Sequence, residues 1–257
     1  MSVTLKEALA EGQVIIGTFL LELSSPSIPR ILANAGFDFV IIDMEHGLFT
    51  MESAAMLISL ARTSGLSPLV RVAEITRTNI LRVLEAGACG IVAPMIGNSK
   101  DVDELYKLSK YPPDGQRGTC LGTAHTDYRI PDPTSYLQEA NKAVLLVGQI
   151  ETKEALAKLD EILSPGKLDV VFVGPLDLSV SLGMPGNWNT PEFETATGAI
   201  LDRCDEHNAV VGAFAADPET ARRWIERGVQ MVVCSAELLM LSDASRNIVE
   251  AIRKEQG

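Results

Sequence analysis

Short apolar runs rich in β-branched residues alternate along this chain with stretches whose apolar residues recur at helical spacing. The runs are Val14 to Leu20, Phe39 to Asp43, Pro68 to Val72, Gly90 to Met95, Val144 to Ile150, Val170 to Gly174, Val210 to Ala213 and Met231 to Ser235. Between them, Ala54, Leu57, Ile58 and Ala61, and likewise Ile80, Leu81, Val83 and Leu84, mark single helix faces. Four helices are expected to end on a glycine just before the next strand, at Gly36, Gly65, Gly87 and Gly228. Glycine reaches the left-handed conformation that stops a helix at little cost. Eight strands alternating with about eight helices predict a (β/α)8 barrel of the TIM type, one domain over residues 1–257. A doubly wound sheet fits less well, because Ser25-Pro-Ser-Ile-Pro-Arg30 opens the first helix without a G-x-G-x-x-G turn.

A chain of 257 residues with 46% hydrophobic content can bury one full core, and no linker-like stretch divides it. Its net charge of −12 argues against a nucleic-acid groove and against docking on anionic membranes. Cys89, Cys120, Cys204 and Cys234 form no C-x-x-C pair, so neither a zinc cage nor a disulfide framework is indicated and a reducing cytoplasm fits. No signal core stands at the N-terminus, and no run approaches the ~20 apolar residues of a membrane span.

In such a barrel the functional groups gather where strands end. Glu151 and Asp177 stand where two consecutive strands run out. Neighbouring strands are about 4.8 Å apart, and two bare carboxylates held ~4 Å apart repel by roughly 4 kcal/mol at an effective dielectric near 20. A shared divalent cation removes that repulsion. One strand-end acid alone more often caps a helix or pairs with arginine; two on adjacent strands favour the metal. The second strand runs into Asp43-Met-Glu-His46 and brings His46 to the mouth, where an imidazole suits a general base. Asp43 either orients His46 or supports the site as an outlying acid, and Glu45 is expected to face solvent. Arg71, ending the third strand, either holds an oxyanion or pairs with Glu74 or another rim acid. Gln149 shares a pleat face with Glu151, and the turn Gly174-Pro-Leu-Asp177 enters a helix whose free N–H groups can receive a carboxylate. His207, Lys142 and Lys167 belong to the opposite end, which leaves no strand-end lysine for a Schiff base.

In their order and spacing, Ala35-Gly-Phe-Asp-Phe-Val-Ile-Ile-Asp-Met-Glu-His46, Val92-Ala-Pro-Met95, Tyr111-Pro-Pro-Asp-Gly-Gln-Arg-Gly118, Gln149-Ile-Glu-Thr152 and Gly174-Pro-Leu-Asp177 resemble the HpcH/HpaI family of metal-dependent pyruvate aldolases. The resemblance covers essentially the whole chain. It implies reversible cleavage of a 4-hydroxy-2-keto acid to pyruvate, or a related 2-keto acid, and an aldehyde. Glu151 and Asp177 then correspond to the ligands of Mg2+, Mn2+ or Co2+, His46 to the base and Arg71 to the group that stabilises the enolate. Gln149, Gly174, Leu176 and Asp177 correspond to substrate contacts. The resemblance further implies a supporting acid at Glu85, where the family commonly has Asp, acting on His46 from a neighbouring subunit. It also implies a homohexamer, a trimer of dimers, with the C-terminal helix around Leu238 to Ile252 exchanged. The chain departs from the family at Gly122-Thr-Ala-His125, where an Ala-Arg-Ala-Ser run is common; this implies a different aldehyde pocket, with His125 either contacting a polar aldehyde or lying on the surface. Trp188 either packs against another subunit or stacks on a ligand. Two other functions are open. An acyl-CoA lyase of the citrate lyase β or malyl-CoA lyase type would need a basic patch, for which Arg117 and Arg129 are the candidates. A non-catalytic keto-acid-binding protein would keep the barrel without turnover.

Overall fold

The computed structural model describes residues 4–254. Its strands are β1 Ile15–Leu20, β2 Phe39–Asp43, β3 Ser67–Arg71, β4 Gly90–Ala93, β5 Leu145–Ile150, β6 Val170–Val173, β7 Val210–Ala215 and β8 Met231–Ala236. All are parallel, they neighbour one another in chain order, and β8 returns to β1 to close the barrel. The expected (β/α)8 architecture is therefore present. The glycines expected to end helices, Gly36, Gly65, Gly87 and Gly228, all adopt positive φ.

The two-residue period of a strand sorts the core into two layers. Phe39, Ile41, Leu69, Val92, Val147, Val170 and Phe172 point inward and fill the barrel. Val40, Ile42, Val70, Ile91, Leu146 and Val171 point outward and meet helical residues such as Leu57, Ile58, Ile80 and Ile200. With apolar residues closing the lower barrel, the polar inward positions at the strand ends become the floor of the mouth.

The helical excursion after β5 is two short helices, Lys153–Ala157 and Leu159–Leu163, because Lys158 between them leaves helical geometry. The segment between the helices Ser99–Ser109 and Pro133–Ala143 lies where strands begin, and Arg62, near the end of the helix Met51–Thr63, donates to Ala124 O there at 2.8 Å. Its expected role in shaping an aldehyde pocket is not met within its own chain. The last helix, Glu237–Lys254, leaves β8 with Leu239, Leu241, Ile248, Val249 and Ile252 exposed. All four cysteines are free thiols. No helix among the described residues is long and apolar enough to cross a membrane.

Gly17 and Phe39 are register partners, and a Cβ at Gly17 would lie 2.3 Å from Phe39 Cε2. Gly17→Ala is expected to lower unfolding free energy in urea by about 1–3 kcal/mol through overpacking. Adding Phe39→Leu should recover part of that loss; a strictly additive double mutant would show that the ring is not the obstacle.

Candidate active site

Strand alternation places Asp43, Arg71 and Gln149 at the last inward positions of β2, β3 and β5, and carries Glu151 one step beyond on the same face. Asp43 and Arg71 are partners across the β2–β3 ladder. Their side chains form a bidentate pair, with Nε donating to Oδ1 at 2.9 Å and a terminal nitrogen donating to Oδ2 at 2.6 Å. Asp43 is fully buried and Arg71 nearly so. Asp43 Oδ1 also accepts the backbone N–H groups of Glu45 at 3.0 Å and His46 at 3.3 Å. Asp43 therefore fixes the turn that carries His46 through its backbone, and its carboxylate is engaged by Arg71. Burial opposes the charge on Arg71, but the Asp43 bonds and the carboxylates of Asp43, Glu45 and Glu151 outweigh it and raise its pKa. The guanidinium also sits 4.7 Å over the Phe19 ring.

Glu45, expected in solvent, instead turns toward the mouth. Its carboxylate lies 3.3 Å from Arg71 Nε and 3.9 Å from His46 Nε2. Burial raises its pKa, while Arg71 and His46 pull the other way. His46 itself stands at the rim, its side chain 64% exposed.

Glu151 is almost completely buried. One of its oxygens accepts Met95 N–H at 2.7 Å and the other accepts Gln149 Nε2 at 3.1 Å. Met95 presents that N–H from a left-handed backbone, φ 53°, unusual for a residue with a side chain. Gly174 lies against the same carboxylate: a Cβ there would meet Glu151 Oε2 at 2.4 Å, so only glycine fits without moving the acid. Asp177 occupies the first turn of the helix Pro175–Ser181, with Leu176 exposed beside it. Burial, then the nearby charges of Asp177 and Glu45, push the Glu151 pKa up to about 7 against the Met95 bond and Arg71.

These residues fit a hard divalent cation. Gln149 Oε1 is buried with no hydrogen-bond partner among the described residues, beside the Glu151 carboxylate that its amide nitrogen bonds, and oxygen donors of this kind suit such a cation. No group of three or more His, Cys, Asp or Glu residues forms a metal cage among the described residues. Two acids alone would leave coordination positions to water and substrate, as Mg2+ tolerates.

The family model for HpcH/HpaI aldolase/citrate lyase matches residues 16–244. The chain belongs to this family. It is 33% identical over 247 residues to a 4-hydroxy-2-oxo-heptane-1,7-dioate aldolase of Escherichia coli, covering 95% of this chain and 93% of that one. A hydroxypyruvate/pyruvate aldolase of Roseovarius nubinhibens is 29% identical over 252 residues, covering 98% and 97%. Among solved structures, the HpcH/HpaI aldolase of Desulfitobacterium hafniense DCB-2 superposes with a TM-score of 0.94 at 32% identity, over 98% of this chain and 97% of that one.

One family position lies far from the others in this HpcH/HpaI chain. Glu85 closes the helix Arg77–Glu85, which returns to the end where strands start. There it lies 3.5 Å from Arg117 and 3.4 Å from His125. His125 has a side chain only 4% exposed, with Nε2 2.8 Å from Cys120 O and Nδ1 bonded to the Tyr136 hydroxyl. It is therefore not a surface group, which corrects that expectation, and it lies away from the mouth of its own chain. Trp188 packs partly buried on the outer core. His207 pairs with Asp160, Lys142 with Glu139 and Lys167 with Asp103, all away from the mouth as expected.

The raised Glu151 pKa sets a pH dependence in protein stripped of divalent cations. With a folded pKa of about 7 against an ordinary 4.5, the native state holds the proton more tightly. The contribution of Glu151 to stability therefore falls as pH rises through that window, by on the order of 3 kcal/mol, and is level outside it. Chemical denaturation in EDTA should show this slope, and Glu151→Gln should flatten it. An unchanged slope in the variant would assign the effect to another group.

Proposed function

We propose that this chain is a divalent-metal-dependent aldolase that reversibly cleaves a 4-hydroxy-2-keto acid to pyruvate, or a related 2-keto acid, and an aldehyde. The observation that carries the reading is the meeting of Glu151, Gln149, Glu45, Arg71 and His46 at one end of the barrel, with surplus carboxylate around a single guanidinium. The aldolase names of the Escherichia coli and Roseovarius nubinhibens relatives support the same chemistry.

Glu151 and Asp177 would hold Mg2+, Mn2+ or Co2+, with the amide oxygen of Gln149 beside them. A cation there supplies Lewis-acid polarisation of the keto group. The remaining steps belong to the chain. The first-turn N–H groups of Leu176 and Asp177 lack intrahelical acceptors and receive the substrate carboxylate. Gly174 leaves room beside them. His46 removes a proton from the carbon next to the keto group, and Arg71 meets the negative charge developing on the keto oxygen. In the cleavage direction His46 takes the proton of the 4-hydroxyl.

Glu85 can support His46 only across a subunit contact, since it sits at the other end of its own barrel. The exposed apolar residues of the helix Glu237–Lys254 support an exchanged-helix homohexamer in which such contacts form. An acyl-CoA lyase is disfavoured, because Arg117 is buried against Glu85 and Tyr111 rather than presented at the mouth.

EDTA is expected to abolish pyruvate release from a 4-hydroxy-2-keto acid, and Mn2+ or Mg2+ to restore it; turnover that survives chelation would sink the proposal. Replacing His46 with Ala should lower kcat by about 10²–10⁴-fold while metal-dependent binding of oxamate persists. If oxamate binds yet neither parent nor variant turns over any aldehyde in a panel monitored by mass spectrometry, the chain is a keto-acid binder instead.

A further inference from the structure

Glu237 opens the last helix and is buried, yet no cation pairs with it among the described residues. Its Oε1 instead accepts three successive backbone N–H groups, those of Leu21 at 2.8 Å, Glu22 at 2.7 Å and Leu23 at 3.1 Å. Consecutive N–H groups turned toward one oxygen form a nest that suits an anion, and a charged acceptor strengthens each bond. The bonds join the exits of two neighbouring strands, β1 and β8. β8 is shaped to deliver the side chain. Between the register pairs Gly17–Val233 and Phe19–Ala236, the single residue Thr18 faces both Cys234 and Ser235. Ser235 takes φ 60°, and its carbonyl accepts Thr18 Oγ1 at 3.2 Å. A bulge of this kind re-aims the side chains that follow it.

The bonds to Glu237 reach the turn that carries His46. Leu21 O accepts the N–H of Leu48 at 2.9 Å, and a Cβ at Gly47 would stand 2.7 Å from the same oxygen. Asp43 holds the first half of that turn through the N–H groups of Glu45 and His46. Leu21 holds the second half, and Glu237 holds Leu21. We propose that Glu237 is a positioning residue for His46, acting through the backbone of Leu21, Glu22 and Leu23. Its use in catalysis rests on the reading of His46 as the base. Without the carboxylate, three N–H groups lose their acceptor together, and Leu21 O no longer fixes the far side of the turn. Asp43 keeps the near side in place, so the imidazole stays at the rim but spends less time aligned for proton transfer. Donor and metal binding, assigned above to other residues, are spared.

The test compares Glu237→Ala and Glu237→Gln with the full-length parent. Hydrogen exchange read by mass spectrometry needs no turnover. In Glu237→Ala it should accelerate roughly tenfold or more in peptides covering residues 21–23 and equally in those covering residues 44–48, with the rest of the barrel unchanged. In Mn2+-supported cleavage, kcat should fall about 10²-fold, the scale of an ~1 Å misplacement. KM and oxamate affinity should stay within about threefold of the parent. Glu237→Gln keeps an acceptor oxygen and should recover most of the lost kcat; if Glu237→Ala fails to fold, Glu237→Gln decides, with a smaller loss of the same pattern. Acceleration at residues 21–23 without any at residues 44–48, an unchanged kcat, or loss of oxamate binding in step with kcat would overturn the assignment. A parent without turnover counts against the aldolase reading instead, and exchange at residues 44–48 then decides the positioning by itself.

Discussion

The buried pair between Asp43 and Arg71 is the constraint on which the mouth of this barrel depends. It joins two adjacent strands at matching register positions, so the ladder that closes the barrel also sets the distance between the groups. Such a pair is a weak source of stability, because desolvation consumes most of its attraction. Its effect is geometric. One carboxylate holds the guanidinium by two bonds and the following turn by two more, and that turn carries Glu45 and His46. The positions of His46, Glu45 and the Arg71 guanidinium therefore trace back to a single side chain with no access to solvent.

Charge balance follows from that arrangement. Arg71 is already engaged by Asp43, so Glu45, Glu151 and Asp177 face one another with little positive charge left to offset them. A site built this way holds a proton or a cation. Lys142 and Lys167 offer no relief, since both are paired with acids away from the mouth. On the proposed function, an affinity for oxygen-liganded metal would arise from this excess of acid, which the fold itself does not neutralise.

Much of this arrangement is legible in the amino-acid sequence. Alternating apolar runs and glycine helix ends identify the barrel, and the two-residue period that puts Gln149 and Glu151 on one face still holds at Glu151, just past the end of β5. Where the backbone stops repeating, that logic stops too. Glu45 follows the last residue of a strand by two positions in a turn, and no periodicity says which way it faces; the bonds to Asp43 decide it. Met95 offers a backbone N–H rather than a side chain, and its left-handed conformation has no glycine to announce it. The segment from Gly115 to Pro131 is conspicuous for its length, but neither its length nor the helix that follows it says where it lies. Asp132-Pro133 begins that helix, with Asp132 capping the N–H of Ser135, whereas contacts distant in sequence, such as Arg62 donating to Ala124 O, tie the segment to the end where strands start.

Gly174 shows how little latitude the floor of the mouth has. The Glu151 carboxylate lies against a bare α-carbon, so any larger residue there forces the acid to shift. Two positions later, Leu176 directs its side chain to solvent and is free to change in size and polarity. Divergence toward new substrates in this chain can rework the rim residue by residue, whereas the junction below it admits a single amino acid.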